Sequence, residues 1–93
     1  MSRIRTVEAI IHGRVQGVGY RFWTKGEAER LGLSGHVRNR PDGTVAATFS
    51  GEADAVAAML AACRQEGPPG ARVTEITEAE GPVPAAGFQI LHD

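Results

Sequence analysis

Apolar residues alternate with polar ones in some stretches of the chain and recur at helical spacing in others. Residues 5–14 alternate, with Val7, Ala9 and Ile11 on one side, which predicts a strand with one buried face. From residue 20 to 31 the spacing becomes helical, and the predicted apolar stripe comprises Phe22, Trp23, Ala28 and Leu31. Gly32 follows as a helix stop.

The next stretch predicts a hairpin. Residues 34–40 and 44–50 both alternate, and Val45, Ala47 and Phe49 form the inward face of the second of these strands. Pro41-Asp42-Gly43 lies between them, and this tripeptide favours a tight turn. The two strands are therefore expected to pair antiparallel.

The last third of the chain predicts a helix and two strands. Residues 53–65 carry an apolar stripe at spacings of three, four and seven, made of Val56, Met59, Leu60 and Cys63. Residues 71–78 form a strand in which Val73 and Ile76 break the alternation, so a bulge or a late strand start is expected. A loop over residues 81–87 leads to a short final strand over residues 88–91.

This order of elements, β-α-β-β-α-β with one extra strand, is that of the ferredoxin-like α+β sandwich. Right-handed crossovers then give an antiparallel sheet of order 4-1-3-2 with both helices on one face. We expect residues 1–93 to form a single domain.

Composition limits the possible partners and compartments. The formal net charge is −1, so overall charge does not favour nucleic acid or anionic membranes. Neither a signal-peptide h-region nor an apolar run of membrane-spanning length is present in the sequence. Cys63 is the only cysteine, which excludes an internal disulfide and fits a cytoplasmic protein. No exposed apolar stripe is predicted, so a monomer is expected.

The segment from Gly13 to Arg21 joins the first strand to the first helix through a glycine-rich bend. Glycines let several backbone N–H groups converge, the helix start adds a positive dipole end, and Arg21 adds a guanidinium that matches phosphate or carboxylate. Glycines that serve only the geometry of the turn are the alternative. The segment lacks the Lys-Ser/Thr ending of a nucleotide P-loop and the GxGxxG spacing, which favours a small phosphate group.

Other polar residues are weaker candidates. The pattern alone favours Asn39 as a turn residue before Pro41-Asp42-Gly43, although its carboxamide could hold a water if its strand lay beside the loop. The histidines at 12, 36 and 92 lack ligand spacing, and no metal is predicted. Cys63, Trp23 and Phe22 are predicted to be packing residues, and Tyr20 to line the loop or anchor it.

The glycine-rich segment and several later motifs resemble the acylphosphatase family. The matching residues span nearly the whole chain at family-like spacing: Gly13-x-Val15-Gln16-Gly17-Val18-x-Tyr20-Arg21, Ala28, Gly32-Leu33-x-Gly35, Val37-x-Asn39, Asp42-Gly43-x-Val45, Gly67-Pro68-Pro69 and Phe88. Two positions depart from the common pattern, since Tyr20 stands where Phe is usual and His36 where Trp is frequent.

The resemblance implies an enzyme that hydrolyses acyl phosphates to a carboxylate and inorganic phosphate without a metal or cofactor. It implies that Arg21 binds the phosphate, that Asn39 orients the attacking water, and that the substrate's own phosphate takes the water proton. The phosphate cradle would consist of the backbone amides of Val15, Gln16, Gly17, Val18, Gly19, Tyr20 and Arg21. The implied partners are small molecules, acyl phosphate and phosphate.

Two other functions compete with this one. A module of the same fold could bind phosphate or a related ligand without turnover, and the short chain with both Arg21 and Asn39 favours the enzyme. An RNA-binding ferredoxin-like domain would stack bases on aromatic residues of its central strands. The strands predicted to be central carry no exposed aromatic pair, so no nucleic acid partner is expected.

Overall fold

Seven elements make up the computed structural model, which describes residues 3–92. Each predicted strand and helix is present, and its bounds differ from the prediction by at most two residues. In chain order the elements are β1 (Ile4–Arg14), α1 (Tyr20–Arg30), β2 (Ser34–Asn39), β3 (Val45–Glu52), α2 (Ala53–Gln65), β4 (Arg72–Glu80) and β5 (Phe88–Ile90).

The five strands form one sheet in the order β4-β1-β3-β2-β5. The pairs β1–β3, β1–β4 and β2–β3 are antiparallel, whereas β5 runs parallel to β2 at the edge. The ferredoxin-like α+β fold and the strand order 4-1-3-2 with an added C-terminal strand are thus confirmed. Because β5 is parallel to β2, the complete sheet is mixed.

The predicted inward faces of the strands and of α2 form the core. Val7, Ala9 and Ile11 are buried on β1, as are Val56, Met59, Leu60 and Cys63 on α2. They belong to one cluster to which α1, β2, β3 and β5 also contribute. Each large side chain that is fully buried in such a cluster stabilises the fold by roughly 1.5–3 kcal/mol.

β4 contains the predicted irregularity. His12 of β1 pairs with Glu75, but the next residue, Gly13, pairs with Val73, so Thr74 has no partner on β1. This extra residue is a β-bulge. It explains why Val73 and Ile76 both lie half-buried against the core although three residues separate them.

The predicted apolar stripe of α1 is wrong at Phe22, whose side chain is 78% exposed. The buried face consists of Tyr20, Thr24 and Ala28 at intervals of four residues. Tyr20 fixes this rotation because its ring is buried and its hydroxyl donates a hydrogen bond of 3.0 Å to the Cys63 carbonyl of α2. Phe22 lies about 200° further around the helix and therefore faces away from the core. Trp23 packs at the edge of the core, with its ring centroid 5.4 Å from that of Tyr20.

Candidate active site

The sheet topology places the glycine-rich loop beside Asn39. β1 and β2 are both antiparallel to β3, so they run in the same direction and end at the same end of the sheet. Val45 of β3 pairs with Ile11 on one side and with Asn39 on the other. A cavity of 230 Å³ lies at this end, and its lining comprises Val15, Gly17, Gly19, Tyr20, Arg21, Phe22 and Asn39.

The backbone of the loop suits an anion. Gly17 and Gly19 have φ values of 76° and 79°, in the left-handed region that favours glycine. Alternation of left-handed and other residues turns successive N–H groups toward one side of the chain. Gly19 is also the residue that caps α1, and it offers no side chain to the first N–H groups of the helix. Within residues 3–92, the N–H groups of residues 16–22 have no hydrogen-bond acceptor.

Arg21 adds a full positive charge at the start of α1. One of its terminal nitrogens donates a hydrogen bond of 3.5 Å to the carbonyl of Leu91, just beyond β5. The described part of the chain provides no carboxylate partner for its guanidinium. A cation is unfavourable beside the positive end of a helix dipole. An anion held between the guanidinium of Arg21 and the start of α1 would attract both and so offset this repulsion.

Asn39 is the last residue of β2 and lines the same cavity. Its Oδ1 atom is buried and has no hydrogen-bond partner among residues 3–92. Leaving a buried acceptor unpaired costs about 1–3 kcal/mol. Such an atom suits a ligand that donates a hydrogen bond, as water does.

The side chain of Gln16 joins the loop to the turn between β2 and β3. Its Nε2 atom donates two hydrogen bonds of 2.8 Å, one to the Arg40 carbonyl and one to the Thr44 carbonyl. Sequence reasoning predicted only a backbone role for Gln16 and missed this clamp. The signal available was a long amide side chain among the glycine and valine residues of the loop.

The turn itself is closed by Asp42 and Thr44. The backbone N–H and the hydroxyl of Thr44 donate hydrogen bonds of 3.0 and 2.6 Å to Oδ1 of Asp42. The hydroxyl bond is the main reason that the pKa of the Asp42 carboxyl is lowered. A closed turn keeps Asn39, three residues before Asp42, at a fixed position relative to the loop.

Two of the predicted loop residues are buried through their side chains. Val15 and the ring of Tyr20 belong to the core, so they can offer only backbone atoms to a ligand. Burial raises the pKa of the Tyr20 hydroxyl and also raises the pKa of the Cys63 thiol to about 11. Cys63 therefore remains a neutral thiol at pH 7, as expected of a packing residue and not of a nucleophile.

Residues 3–92 contain no group of three or more His, Cys, Asp or Glu side chains arranged to hold a metal ion. Nor does any helix in this range combine the length and the apolar character needed to cross a membrane.

Comparison with known proteins gives a consistent result. The family model described as Acylphosphatase matches residues 7–90. An acylphosphatase of Azorhizobium caulinodans is 58% identical over 87 residues, which cover 91% of this chain and 92% of that protein. The solved acylphosphatase structure from Coxiella burnetii is 30% identical, covers 95% of this chain and 93% of its own, and gives a TM-score of 0.87.

The acylphosphatase structure from Bacillus subtilis is 34% identical, with a TM-score of 0.86 and coverage of 96% of this chain and 99% of its own. The motifs, the fold and the extent of these matches lead to one conclusion: the chain belongs to the acylphosphatase family of hydrolases.

Proposed function

We propose that the chain hydrolyses acyl phosphates to a carboxylate and inorganic phosphate at the cavity between the glycine-rich loop and Asn39. The observation that carries the proposal is the convergence of three features on one cavity. Among residues 3–92 they are backbone N–H groups without an acceptor, an arginine without a carboxylate partner, and Asn39 with its buried, unpaired Oδ1.

In the proposed mechanism, the loop N–H groups and Arg21 bind the phosphate oxygens of the substrate. Phosphoryl transfer depends mainly on positioning and on stabilising the charge of the equatorial oxygens. Backbone amides held at a helix start, together with a guanidinium fork, provide both. The backbone amides of residues 15–21 and the Arg21 side chain are therefore proposed as the phosphate site.

Asn39 is proposed to orient the attacking water. Its Oδ1 accepts a hydrogen bond from the water, whose oxygen attacks the phosphorus while the bond from phosphorus to the acyl oxygen breaks. The electron pair of that bond leaves with the carboxylate, and the water proton passes to a phosphate oxygen. The carboxylate is the conjugate base of an acid with a pKa of about 4, so its departure needs no general acid.

Steady-state hydrolysis of benzoyl phosphate, with inorganic phosphate as a competitive inhibitor, tests the two roles separately. Arg21→Ala should lower turnover by at least about 10²-fold and weaken inhibition by phosphate, because a preorganised donor to the phosphate is lost. Asn39→Ala should lower turnover while phosphate inhibition stays close to that of the unmodified chain, because the water is then not oriented.

Arg38→Ala is the matched control, since Arg38 precedes Asn39 on β2, is exposed and lines a depression on the open face of the sheet. Its turnover should equal that of the unmodified chain. Near-normal hydrolysis by Arg21→Ala would refute the phosphate site. Tight phosphate binding without hydrolysis by the unmodified chain would indicate a binding module instead.

We also propose that the chain acts as a single-domain monomer in the cytoplasm. A single core cluster contains residues from both helices and from four strands. The fifth strand, β4, packs against it through Val73 and Ile76. Cys63, the lone cysteine, is buried and has a raised pKa, which fits a protein that does not depend on disulfides. Light scattering after size-exclusion chromatography would test the monomer, and a mass of twice that of the chain would contradict it.

A further inference from the structure

We propose that Phe22 selects acyl phosphates whose acyl group is large and apolar, above all aromatic, over those with a small acyl group. This inference rests on the proposed function, because it concerns the part of the substrate that the phosphate cradle does not hold. It assigns a specificity role to a side chain at the rim of the cavity.

Phe22 has no packing role that would explain an aromatic residue at its position. It lies on the solvent side of α1, opposite the buried face of Tyr20, Thr24 and Ala28, and is 78% exposed. Isolated exposed apolar residues are common on protein surfaces and need no explanation. Phe22 differs from these because it also lines the cavity that contains the loop and Asn39.

The other lining residues leave Phe22 as the apolar contact for the acyl group. The side chains of Val15 and Tyr20 are buried in the core, and Gly17 and Gly19 have none. Arg21 and Asn39 are polar and are engaged with the phosphate and the water in the proposed mechanism. Among the seven lining residues within the described range 3–92, Phe22 alone therefore offers an exposed apolar surface.

The orientation of the substrate follows from its chemistry. The phosphate must face the loop N–H groups and Arg21, so the acyl group extends from the bridging oxygen toward the rim. A phenyl ring at the rim can stack on another aromatic ring or cover an alkyl chain, and aromatic pairs add to the gain from burial alone. An acetyl group is too small to reach much of that surface.

The test compares kcat/KM for benzoyl phosphate with kcat/KM for acetyl phosphate. Phe22→Ala should lower the ratio of the two about tenfold, equivalent to about 1.4 kcal/mol, with little change for acetyl phosphate or for inhibition by inorganic phosphate. Phe22→Tyr, which keeps the ring, should preserve the ratio. Val83→Ala, at a similarly exposed apolar residue that does not line the cavity, is the control and should leave the ratio unchanged.

The Phe22→Ala variant is expected to fold, because alanine is favourable at an exposed position of a helix. An unchanged ratio in Phe22→Ala would overturn the inference, as would an equal loss for both substrates, which would indicate that Phe22 supports the loop. Binding of benzoylphosphonate and acetylphosphonate, which cannot be hydrolysed, separates the inference from the proposed function. If the unmodified chain hydrolyses neither substrate, a preference for benzoylphosphonate that Phe22→Ala abolishes would still support the inference, and no preference would overturn it.

Discussion

Replacing Gln16 with leucine removes the clamp between the glycine-rich loop and the β2–β3 turn while keeping a side chain of comparable size. Two neutral hydrogen bonds are lost, and each contributes about 0.5–1.5 kcal/mol. Neither carbonyl is left unpaired, since Arg40 O also accepts from the N–H of Gly43 and Thr44 O from the N–H of Arg40. The expected loss of unfolding free energy is therefore about 1–3 kcal/mol, without the added penalty of an unpaired buried acceptor.

Urea unfolding followed by fluorescence measures this loss, because Trp23 is the only tryptophan and packs beside Tyr20. In a domain of this length, each kcal/mol of lost unfolding free energy lowers Tm by roughly 4–8 °C. Gln65→Leu is the control, since Gln65 is exposed at the end of α2 and glutamine and leucine have similar helix propensities. Equal urea midpoints for Gln16→Leu and Gln65→Leu would refute the assignment of a stabilising clamp. A loss well above the expected range would mean that the loop rearranges with the side chain.

Two further predictions concern the core. Gly35→Ala should destabilise the fold by about 3 kcal/mol or more, because its φ is 142° and a Cβ atom would lie 1.8 Å from the Thr48 carbonyl oxygen. Thermal unfolding of this variant beside Gly26→Ala, where a Cβ meets open space, would check the clash, and similar Tm values would contradict it. For Cys63, the raised pKa means that the folded state keeps the thiol protonated. Its contribution to stability is therefore fully present below the ordinary pKa of 9.0 and is lost as the pH rises through about 11. Urea midpoints measured across this interval should fall less in Cys63→Ala than in the unmodified chain, and identical slopes would show that the thiol has no part in the effect.

The elements of the fold could be predicted from the sequence because alternation, helical spacing and glycine or proline breaks agree at each boundary. The rotation of α1 could not be predicted. Phe22 is more apolar than Thr24, yet Thr24 is fully buried and Phe22 is exposed. The hydrogen bond from Tyr20 to the backbone of α2 and the conformation of the loop before it determine which face packs. Both depend on tertiary structure, and the spacing of apolar residues does not predict them.

The candidate site was predictable in part. Arg21 was suggested by its place at the end of a glycine-rich bend, whereas pattern alone favoured a turn role for Asn39. The assignment of Asn39 to the site depended on family resemblance. A short stretch of sequence does not reveal the strand order that brings β2 beside the loop. The Gln16 clamp was missed since its two acceptors lie in a turn more than twenty residues away. The catalytic roles of Arg21 and Asn39 stay predictions until the proposed variants are measured.

The bulge at Thr74 has a consequence for how neighbouring molecules meet. In the part of the chain that the structure describes, β4 has a strand partner on one side only, so its outer row of backbone groups could pair with a strand from another molecule. A bulge twists such a row out of register, and Glu75 adds a carboxylate there, whereas Glu78 and Glu80 form ion pairs with Arg64 and Arg5. Two molecules that approach through this strand would therefore meet on mismatched hydrogen-bond ladders. The irregularity of β4 therefore favours solubility at high concentration and opposes the growth of cross-β aggregates.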